Sequence, residues 1–248
     1  MGSIVLTGSK GSLAGLARAL RDRSFDVVER PLLGFAPPGN WRLLDHAIER
    51  LADYAAVAVT SPRAAEALVA RLRLRGSQQV ESPQPAVWAS GPASSTVLEQ
   101  WVSPVHVPGA GDAAEQGSAS ALARAMIAAG VRGPVLFPCG DKRREDLPAL
   151  LEKEGIRVDE VVSYQSVLAE PAAARAAAEA GEIVVVASPS VVDLLARACP
   201  PDRRPDLVAV GPTTAAHARA VGWAPVAVAE SPTAGAVLEA VTGFLTSR

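Results

Sequence analysis

Cysteine and histidine are scarce in this chain of 248 residues. Its two cysteines are Cys139 and Cys199, and its three histidines have no spacing typical of a metal site. Two thiols cannot build a disulfide scaffold or a four-cysteine zinc site. We therefore expect no bound metal and a reducing, cytoplasmic environment.

An excess of one charge and long apolar runs are also missing. The 24 basic and 26 acidic residues leave a net charge of −2, whereas proteins held to nucleic acid by bulk charge are normally basic. No apolar run approaches the roughly 20 residues that a membrane-spanning helix needs, and the first residues show no secretory signal pattern. We therefore expect no nucleic-acid partner and no membrane contact.

Apolar residues, by contrast, make up 49% of the chain and follow a regular alternation. Short β-branched runs alternate with stretches of helical period such as Ser12–Asp22 and Pro62–Arg73. Apolar strands that are each followed by a helix indicate an α/β fold with parallel sheets covered on both faces. The predicted strands are Ile4–Thr7, Asp26–Glu29, Ala55–Thr60, Ala86–Ala89, Val105–Val107, Val135–Pro138, Val158–Val161, Ile183–Ala187, Leu207–Val210 and Val226–Ala229.

An internal repeat divides the chain near residue 131. Four motifs of the first half return in the same order in the second half, and their spacing shortens steadily along the chain. The matched pairs are Val5-Leu6 with Val135-Leu136, Thr60-Ser61-Pro62 with Ala187-Ser188-Pro189, Ser90-Gly91-Pro92 with Val210-Gly211-Pro212, and Ser118-Ala119 with Thr233-Ala234. We infer two copies of one α/β unit.

The folded domains need not coincide with these repeats. The segments 33–37 and 162–168 follow the second strand of each repeat and lack a helical face, as two crossing linkers would. Residues 1–32 and 169–248 would then form one discontinuous domain, and residues 38–161 an inserted one. Two consecutive halves remain the alternative.

The loops after the predicted strands are rich in Ser, Thr, Gly and Pro. Ser or Thr followed by Pro is typical of a helix N-cap, and helix N-termini attract carboxylates and phosphates. Such residues can simply cap helices, but six similar loops at the carboxyl ends of strands favour an anion-binding site. The candidate binding residues are Thr7, Gly8, Lys10, Thr60, Ser61, Ser90, Gly91, Ser94, Cys139, Gly140, Lys142, Ser188, Ser190, Gly211, Thr213 and Thr214.

Motifs for other chemistries are absent or weak. The glycines near Gly109 precede the next helix by too many residues for a dinucleotide fingerprint, because that helix is expected to begin near Ser118. No phosphate-binding loop of the form GxxxxGK[ST] and no nucleophile elbow is present. His217 is best interpreted as a solvated or packed helix residue. The basic run Lys142–Arg144 is typical of a solvated helix start, with contact to a substrate carboxylate as the alternative.

Tyr164 breaks the symmetry of the repeat. It is one of two tyrosines and lies in the second linker, where the first linker has Leu33. A phenol can donate a proton or a hydrogen bond in a site without histidine or carboxylate. We predict that Tyr164 is catalytic, with a half-buried structural tyrosine as the alternative.

The whole chain, from Val5 to Leu245, resembles the uroporphyrinogen-III synthase family. The resemblance rests on an ordered set of short motifs, none of them diagnostic alone. The segments that carry it are Val27–Leu33, Val59–Ala64, Gly91–Ser94, Val158–Tyr164, Ala187–Ser190, Val210–Ala215 and Ala229–Thr233.

This resemblance implies two similar α/β domains joined by a two-strand linker, with the active site in the cleft between them. It implies the substrate hydroxymethylbilane, no cofactor, and a transient contact with hydroxymethylbilane synthase. Water leaves the hydroxymethyl group of ring A, the last pyrrole attacks through its substituted carbon, and the spiro intermediate recloses with ring D inverted. In this family the linker tyrosine, matched by Tyr164, is a candidate for assisting water loss. The hydroxyl three residues after each loop glycine is matched by Ser94 and Thr214.

Two positions depart from the family pattern. The family usually has an arginine where this chain has Cys139, and often Arg-Pro where this chain has Gly8-Ser9; Lys10 and Lys142 are the expected replacements. A non-catalytic paralogue that binds a small anion, or acts as a regulator, is therefore the alternative function.

Overall fold

A computed structural model describes residues 3–76, 85–109, 118–142 and 146–247. Strands and helices alternate along these residues, as the sequence predicts. The strands are β1 (Ile4–Leu6), β2 (Val27–Glu29), β3 (Leu33–Ala36), β4 (Ala56–Val59), β5 (Ala86–Ala89), β6 (Val105–His106), β7 (Val135–Gly140), β8 (Val158–Leu168), β9 (Ile183–Val186), β10 (Asp206–Ala209) and β11 (Ala227–Val228). The helices are α1 (Ala14–Arg21), α2 (Arg42–Glu49), α3 (Pro62–Leu74), α4 (Pro92–Leu98), α5 (Ala119–Ala128), α6 (Asp146–Lys153), α7 (Pro171–Glu179), α8 (Pro189–Ala198), α9 (Pro212–Ala220) and α10 (Ala234–Thr246).

The chain separates into two compact units. The first unit consists of residues 1–34 and 167–248, and the second of residues 35–166. The chain therefore crosses between units after Gly34, within β3, and after Ser166, within β8. Both crossings lie inside the segments 33–37 and 162–168 that lack a helical face in the sequence.

The first unit contains a five-stranded sheet in the order β11-β10-β9-β1-β2. Each of its neighbouring strands is paired in parallel. Val5 lies opposite Val184, and Val184 opposite Leu207; all three pack in one core cluster. The next residues along, including Leu6, pack in a second cluster. Because alternate strand residues face opposite sides, helices cover both faces of this sheet.

The second unit contains a six-stranded sheet in the order β3-β8-β7-β4-β5-β6. Its strands β8, β7, β4, β5 and β6 pair in parallel. Val57 lies opposite Val87 and Leu136, and these residues share one core cluster. Ala56 and its neighbour Val135 belong to the cluster on the other face. This sheet is therefore also buried on both sides, as the apolar strands predict.

The two sheets have the same strand order once the repeat is taken into account. The order β2-β1-β9-β10-β11 in the first unit corresponds to β8-β7-β4-β5-β6 in the second. Each of these sets joins two strands from one repeat to three strands from the other. The extra strand of the second sheet is β3, which lies beside β8 at the edge.

Two predicted strand ends need correction: the strand predicted to end at Val161 continues through Leu168 as β8, and the strand before it is also longer than predicted. The sequence places Cys139 and Gly140 in a loop after a strand that ends at Pro138, but β7 continues through Gly140. The reason is non-local: Cys139 and Gly140 have partners in β8, which is itself an uninterrupted strand of 11 residues.

Membrane spans and metal clusters are absent from the residues that the structure describes. Within those ranges, no helix has both the length and the apolar character required to cross a bilayer. No group of three or more His, Cys, Asp or Glu side chains in that part of the chain is arranged to hold a metal ion.

Candidate active site

Tyr164 lies near the carboxyl end of the second sheet, on β8. Its hydroxyl oxygen accepts a hydrogen bond from Ser61 Oγ at 3.3 Å. Its ring meets the Phe35 ring edge-on, with centroids 5.7 Å apart and planes at 73°. The phenol is half-buried, so its ring is fixed by protein while part of its surface stays accessible.

The Ser61 hydroxyl links Tyr164 to a helix N-terminus. Ser61 is the N-cap of α3, and its Oγ accepts a hydrogen bond from the backbone N–H of Ala64 at 3.1 Å. The Ser61 proton is donated to the phenol oxygen, which leaves the phenol proton free to be donated elsewhere. The phenol oxygen thus lies beside the N-terminus of α3, which carries the positive end of the helix dipole.

Gly140 lacks a side chain and so leaves room for the Tyr164 ring. A Cβ atom at residue 140 would lie 2.6 Å from Cζ and 2.8 Å from the hydroxyl oxygen of Tyr164. Any larger residue would therefore displace the phenol. Gly140 was predicted to bind substrate, but the structure shows it packed against the ring of the candidate catalytic residue.

A register shift in the sheet determines which way Tyr164 faces. Cys139 pairs with Val162, but Gly140 pairs with Tyr164, so Ser163 is skipped. Such irregularities redirect side chains at the end of a strand. The skipped Ser163 is buried and donates its hydroxyl to the Cys139 carbonyl at 3.1 Å.

The other tyrosine, Tyr54, has a structural role at the opposite edge of the same sheet. It precedes β4 and donates its hydroxyl to Asp159 Oδ2 at 2.9 Å. Burial, together with the hydrogen bond to Asp159, raises the pKa of Tyr54 to about 12. Of the two phenols, Tyr164 is therefore the one placed at the carboxyl edge, where parallel sheets bind ligands.

The remaining candidate binding residues of the second unit differ in their exposure to solvent. Ser94 is buried in the first turn of α4, and Lys142 is exposed. Ser90 is also buried, and its hydroxyl is donated to the Thr60 carbonyl at 3.3 Å, so its contact with substrate stays a prediction. Gly91 is the N-cap of α4 and precedes Pro92. The run Arg143–Arg144 lies outside the described residues.

Cys139 lies in the core of the second unit. Its side chain is buried at 3% exposure within a core cluster, and its Sγ lies 3.7 Å from the Val161 carbonyl oxygen. The thiol therefore faces away from solvent, and its contact with substrate stays a prediction.

In the first unit, three candidate loops lie side by side. They follow β1, β9 and β10, which are adjacent in the sheet. Their candidate residues are Thr7, Gly8 and Lys10; Ser188 and Ser190; and Gly211, Thr213 and Thr214. The parallel sheet thus brings together residues far apart in sequence at its carboxyl edge.

Three hydroxyls of this set, those of Thr7, Ser188 and Ser190, are already bonded within the protein. Thr7 is completely buried and donates its hydroxyl to the Val185 carbonyl at 2.8 Å, so its side chain is directed into the protein rather than toward solvent. Ser188 occupies the N-cap position of α8 but forms no side-chain cap, because its Oγ lies 2.8 Å from Ser190 Oγ. The N-cap of α9 is Gly211, which has no side chain that could cap the helix. The first backbone amides of both α8 and α9 therefore have no side-chain cap.

The structure contains an acid–histidine pair that no sequence pattern indicates. His217 Nε2 lies 2.7 Å from Asp193 Oδ1, and both side chains are about one-third exposed. They lie on neighbouring helices, one turn from Thr213 and Ser190 respectively. The pair joins α8 to α9, and only the pairing of those helices could have revealed it.

One family model covers most of the chain. The model described as "Uroporphyrinogen-III synthase HemD" matches residues 14–239. The uroporphyrinogen-III synthase of Synechococcus elongatus is 30% identical over 176 residues, which cover 66% of this chain and 60% of that relative. This chain thus spans 60% of the length of the curated relative it matches.

Solved structures are similar to this chain over nearly its whole length. A mutant uroporphyrinogen III synthase from the extremely thermophilic bacterium Thermus thermophilus has a TM-score of 0.61 at 17% identity, covering 99% of each chain. Uroporphyrinogen-III synthetase from Helicobacter pylori also has a TM-score of 0.61, at 16% identity over 100% of each chain. At such low identity, these similarities establish a shared fold.

Proposed function

Since the chain belongs to the uroporphyrinogen-III synthase family, we propose that it cyclises hydroxymethylbilane to uroporphyrinogen III, with loss of water and inversion of ring D. The observation that carries this proposal is the pairing of Tyr164 with Ser61 at the carboxyl edge of the second sheet. It supplies a proton donor where the reaction needs one.

The proposed first step is loss of the ring A hydroxyl. The Tyr164 phenol gives its proton to the hydroxymethyl oxygen, the C–O bond breaks, and water leaves with the bonding electrons. The pyrrole nitrogen supplies an electron pair, which gives a cationic azafulvene. The phenolate that remains is stabilised by the Ser61 hydroxyl and by the N-terminus of α3.

Ring closure then proceeds on the activated substrate. The last pyrrole attacks the azafulvene carbon through its substituted position, and the spiro intermediate fragments and recloses with ring D inverted. The proton released when the final pyrrole regains aromaticity returns to the phenolate, so the tyrosine is restored. Because the bilane also cyclises unaided to the uninverted isomer, the protein mainly has to position ring D.

Substrate binding is proposed to use many weak sites rather than one strong base. The bilane carries eight carboxylates, whereas the chain has a net charge of −2. Positive potential must therefore be local. The uncapped N-termini of α8 and α9 supply it, with Lys10 and Lys142 exposed beside the candidate loops and the hydroxyl of Thr213 as a further donor.

The test is a coupled assay with porphobilinogen and hydroxymethylbilane synthase, in which chromatography resolves isomers I and III. The wild-type protein should shift the product to isomer III. Tyr164→Phe should slow formation of isomer III by about 10- to 100-fold. The loss is incomplete because positioning contributes much of the rate.

Two outcomes would contradict this proposal. A wild-type protein that yields only isomer I is not a synthase. A Tyr164→Phe variant with full activity would make the tyrosine a packing residue and leave the proton donor to be found elsewhere.

We also propose a transient contact with hydroxymethylbilane synthase. Its basis is chemical, since a substrate that cyclises unaided is best transferred quickly. Sedimentation velocity of the two proteins, mixed with porphobilinogen, should show a faster-moving species. Two independent boundaries at every ratio would contradict the contact.

A further inference from the structure

Arg63 is held in a fixed position close to the candidate catalytic tyrosine. It lies in the first turn of α3, two residues after Ser61, and its guanidinium carbon is 3.7 Å from the centroid of the Phe35 ring. The side chain is half-buried. A cation stacked on an aromatic face at this distance is attracted to the ring electrons, so the Arg63 head group is oriented.

The charge of Arg63 has no anionic partner among the described residues. No carboxylate oxygen in those ranges lies within 4.0 Å of its guanidinium. Two other arginines near this helix do have carboxylate partners. Arg71, within α3, is bonded to Asp45 at 2.6 Å, and Arg75, just after α3, contacts both Asp45 and Glu49 at 3.0 Å. Within the described ranges, the charge of Arg63 is therefore not neutralised by a carboxylate, although its side chain is partly buried.

The ring beneath Arg63 also touches the phenol. Phe35 meets Tyr164 edge-on at 5.7 Å between centroids, so the same ring contacts both the guanidinium and the phenol. Stacking occupies the flat face of the guanidinium and leaves its in-plane N–H groups available, and two of these match the two oxygens of a carboxylate. An oriented arginine that pairs with no carboxylate in the described part of the chain, and that shares the Phe35 ring with a proton donor, has the properties of a carboxylate-binding residue.

We propose that Arg63 binds a carboxylate of the bilane, on the pyrrole whose hydroxymethyl group faces Tyr164. This inference rests on the proposed function for the identity of the ligand. Arg63 would hold that pyrrole with equal strength in the ground state and the transition state, so its loss would act mainly on KM. Phe35 would act through Arg63 as a positioning residue.

Steady-state kinetics of Arg63→Gln test the proposal. Loss of a charge-assisted, bidentate contact should raise KM for hydroxymethylbilane by about 10- to 100-fold and change kcat by less than about threefold. Arg63→Lys should recover part of the affinity, since it keeps the charge but loses the planar fork. Phe35→Leu should raise KM less than Arg63→Gln does.

Arg73→Gln is the matched control. Arg73 lies in the last turn of the same helix, is exposed, and donates to Gln100. Its loss removes the same charge from the chain, so an equal effect on KM would mean that Arg63 acts only through overall charge and would overturn the proposal. An unchanged KM in Arg63→Gln, or a fall in kcat alone, would also overturn it.

A binding measurement separates this proposal from the proposed function. Uroporphyrin III, the oxidised form of the proposed product, carries the same eight carboxylates and can be titrated by fluorescence. Weaker binding to Arg63→Gln than to Arg73→Gln supports the carboxylate contact even if the wild-type protein makes no isomer III. Equal binding to both variants contradicts the contact even if the synthase activity is confirmed.

Discussion

Replacing Gly140 with alanine tests whether the position of the Tyr164 ring matters. The new methyl group would lie 2.6 Å from Tyr164 Cζ and 2.8 Å from its hydroxyl oxygen, whereas carbon atoms normally approach to about 3.5 Å. The ring must therefore move by about 1 Å. Misplacement by about 1 Å can reduce an enzymatic rate by about 100-fold, and overpacking typically costs about 1–3 kcal/mol of stability.

The assay is the initial rate of isomer III formation, together with the free energy of unfolding in denaturant. Gly243→Ala is the control, because a methyl group at that helical position meets no atom within 4 Å. It should leave the rate unchanged and stabilise the protein by about 0.5–1 kcal/mol. Both variants add one methyl group in place of a glycine hydrogen, so only the neighbourhood differs.

The double variant with Tyr164→Phe decides how Gly140→Ala acts. If the methyl group works by moving the phenol hydroxyl, it should cost much less activity once that hydroxyl is gone. A loss of the same size in both backgrounds would refute the reasoning. Full activity in a stably folded Gly140→Ala variant would refute it as well.

Single contacts give three further predictions. Ser61→Ala should cost about 1 kcal/mol of stability, because an N-cap is lost, and should also slow isomer III formation. Ser118→Ala removes an equivalent N-cap from α5 and should cost only stability. Equal rates of isomer III formation in the two variants would contradict the role of Ser61. Ser94→Ala and Thr214→Ala should each weaken catalysis by about 1 kcal/mol, less than Tyr164→Phe does in the same assay, and a complete loss would reverse that ranking. Because the pKa of Tyr54 is raised to about 12, its protonated form stabilises the fold fully below pH 10 and progressively less as the pH rises to about 12. Urea unfolding of Tyr54→Phe should therefore show a smaller loss of stability at alkaline pH than unfolding of the wild type. Identical pH profiles of the two proteins would contradict this.

Local sequence signals predicted much of the fold. The helix start at Ser61-Pro62 is a local pattern, and the structure has Ser61 as the N-cap of α3. The α/β class and the resemblance to the synthase family, both read from ordered short motifs, are confirmed. These features were predictable because an N-cap, an apolar strand and a helical period each depend on neighbouring residues.

The surroundings of several candidate residues depend on contacts distant in sequence. Thr7 has the local pattern of a loop hydroxyl, but its partner is the carbonyl of Val185, on a strand from the other end of the chain. Cys139 resembles a turn residue until β8 pairs with it. No local pattern links Arg63 to Phe35, because their contact exists only after β3 and α3 have packed in the second unit.

The exchange of strands between repeats has a consequence for the order in which the protein can be completed during translation. Residues 35–166 leave the ribosome as one uninterrupted stretch, whereas β1 is synthesised first and its partner β9 begins only at Ile183. At about 5–20 residues per second, Ile4, Val5 and Leu6 wait on the order of ten to thirty seconds for the strand that buries them. β1 thus emerges long before β9 can cover it, and the nascent chain has to keep an apolar β-edge from pairing elsewhere for that time.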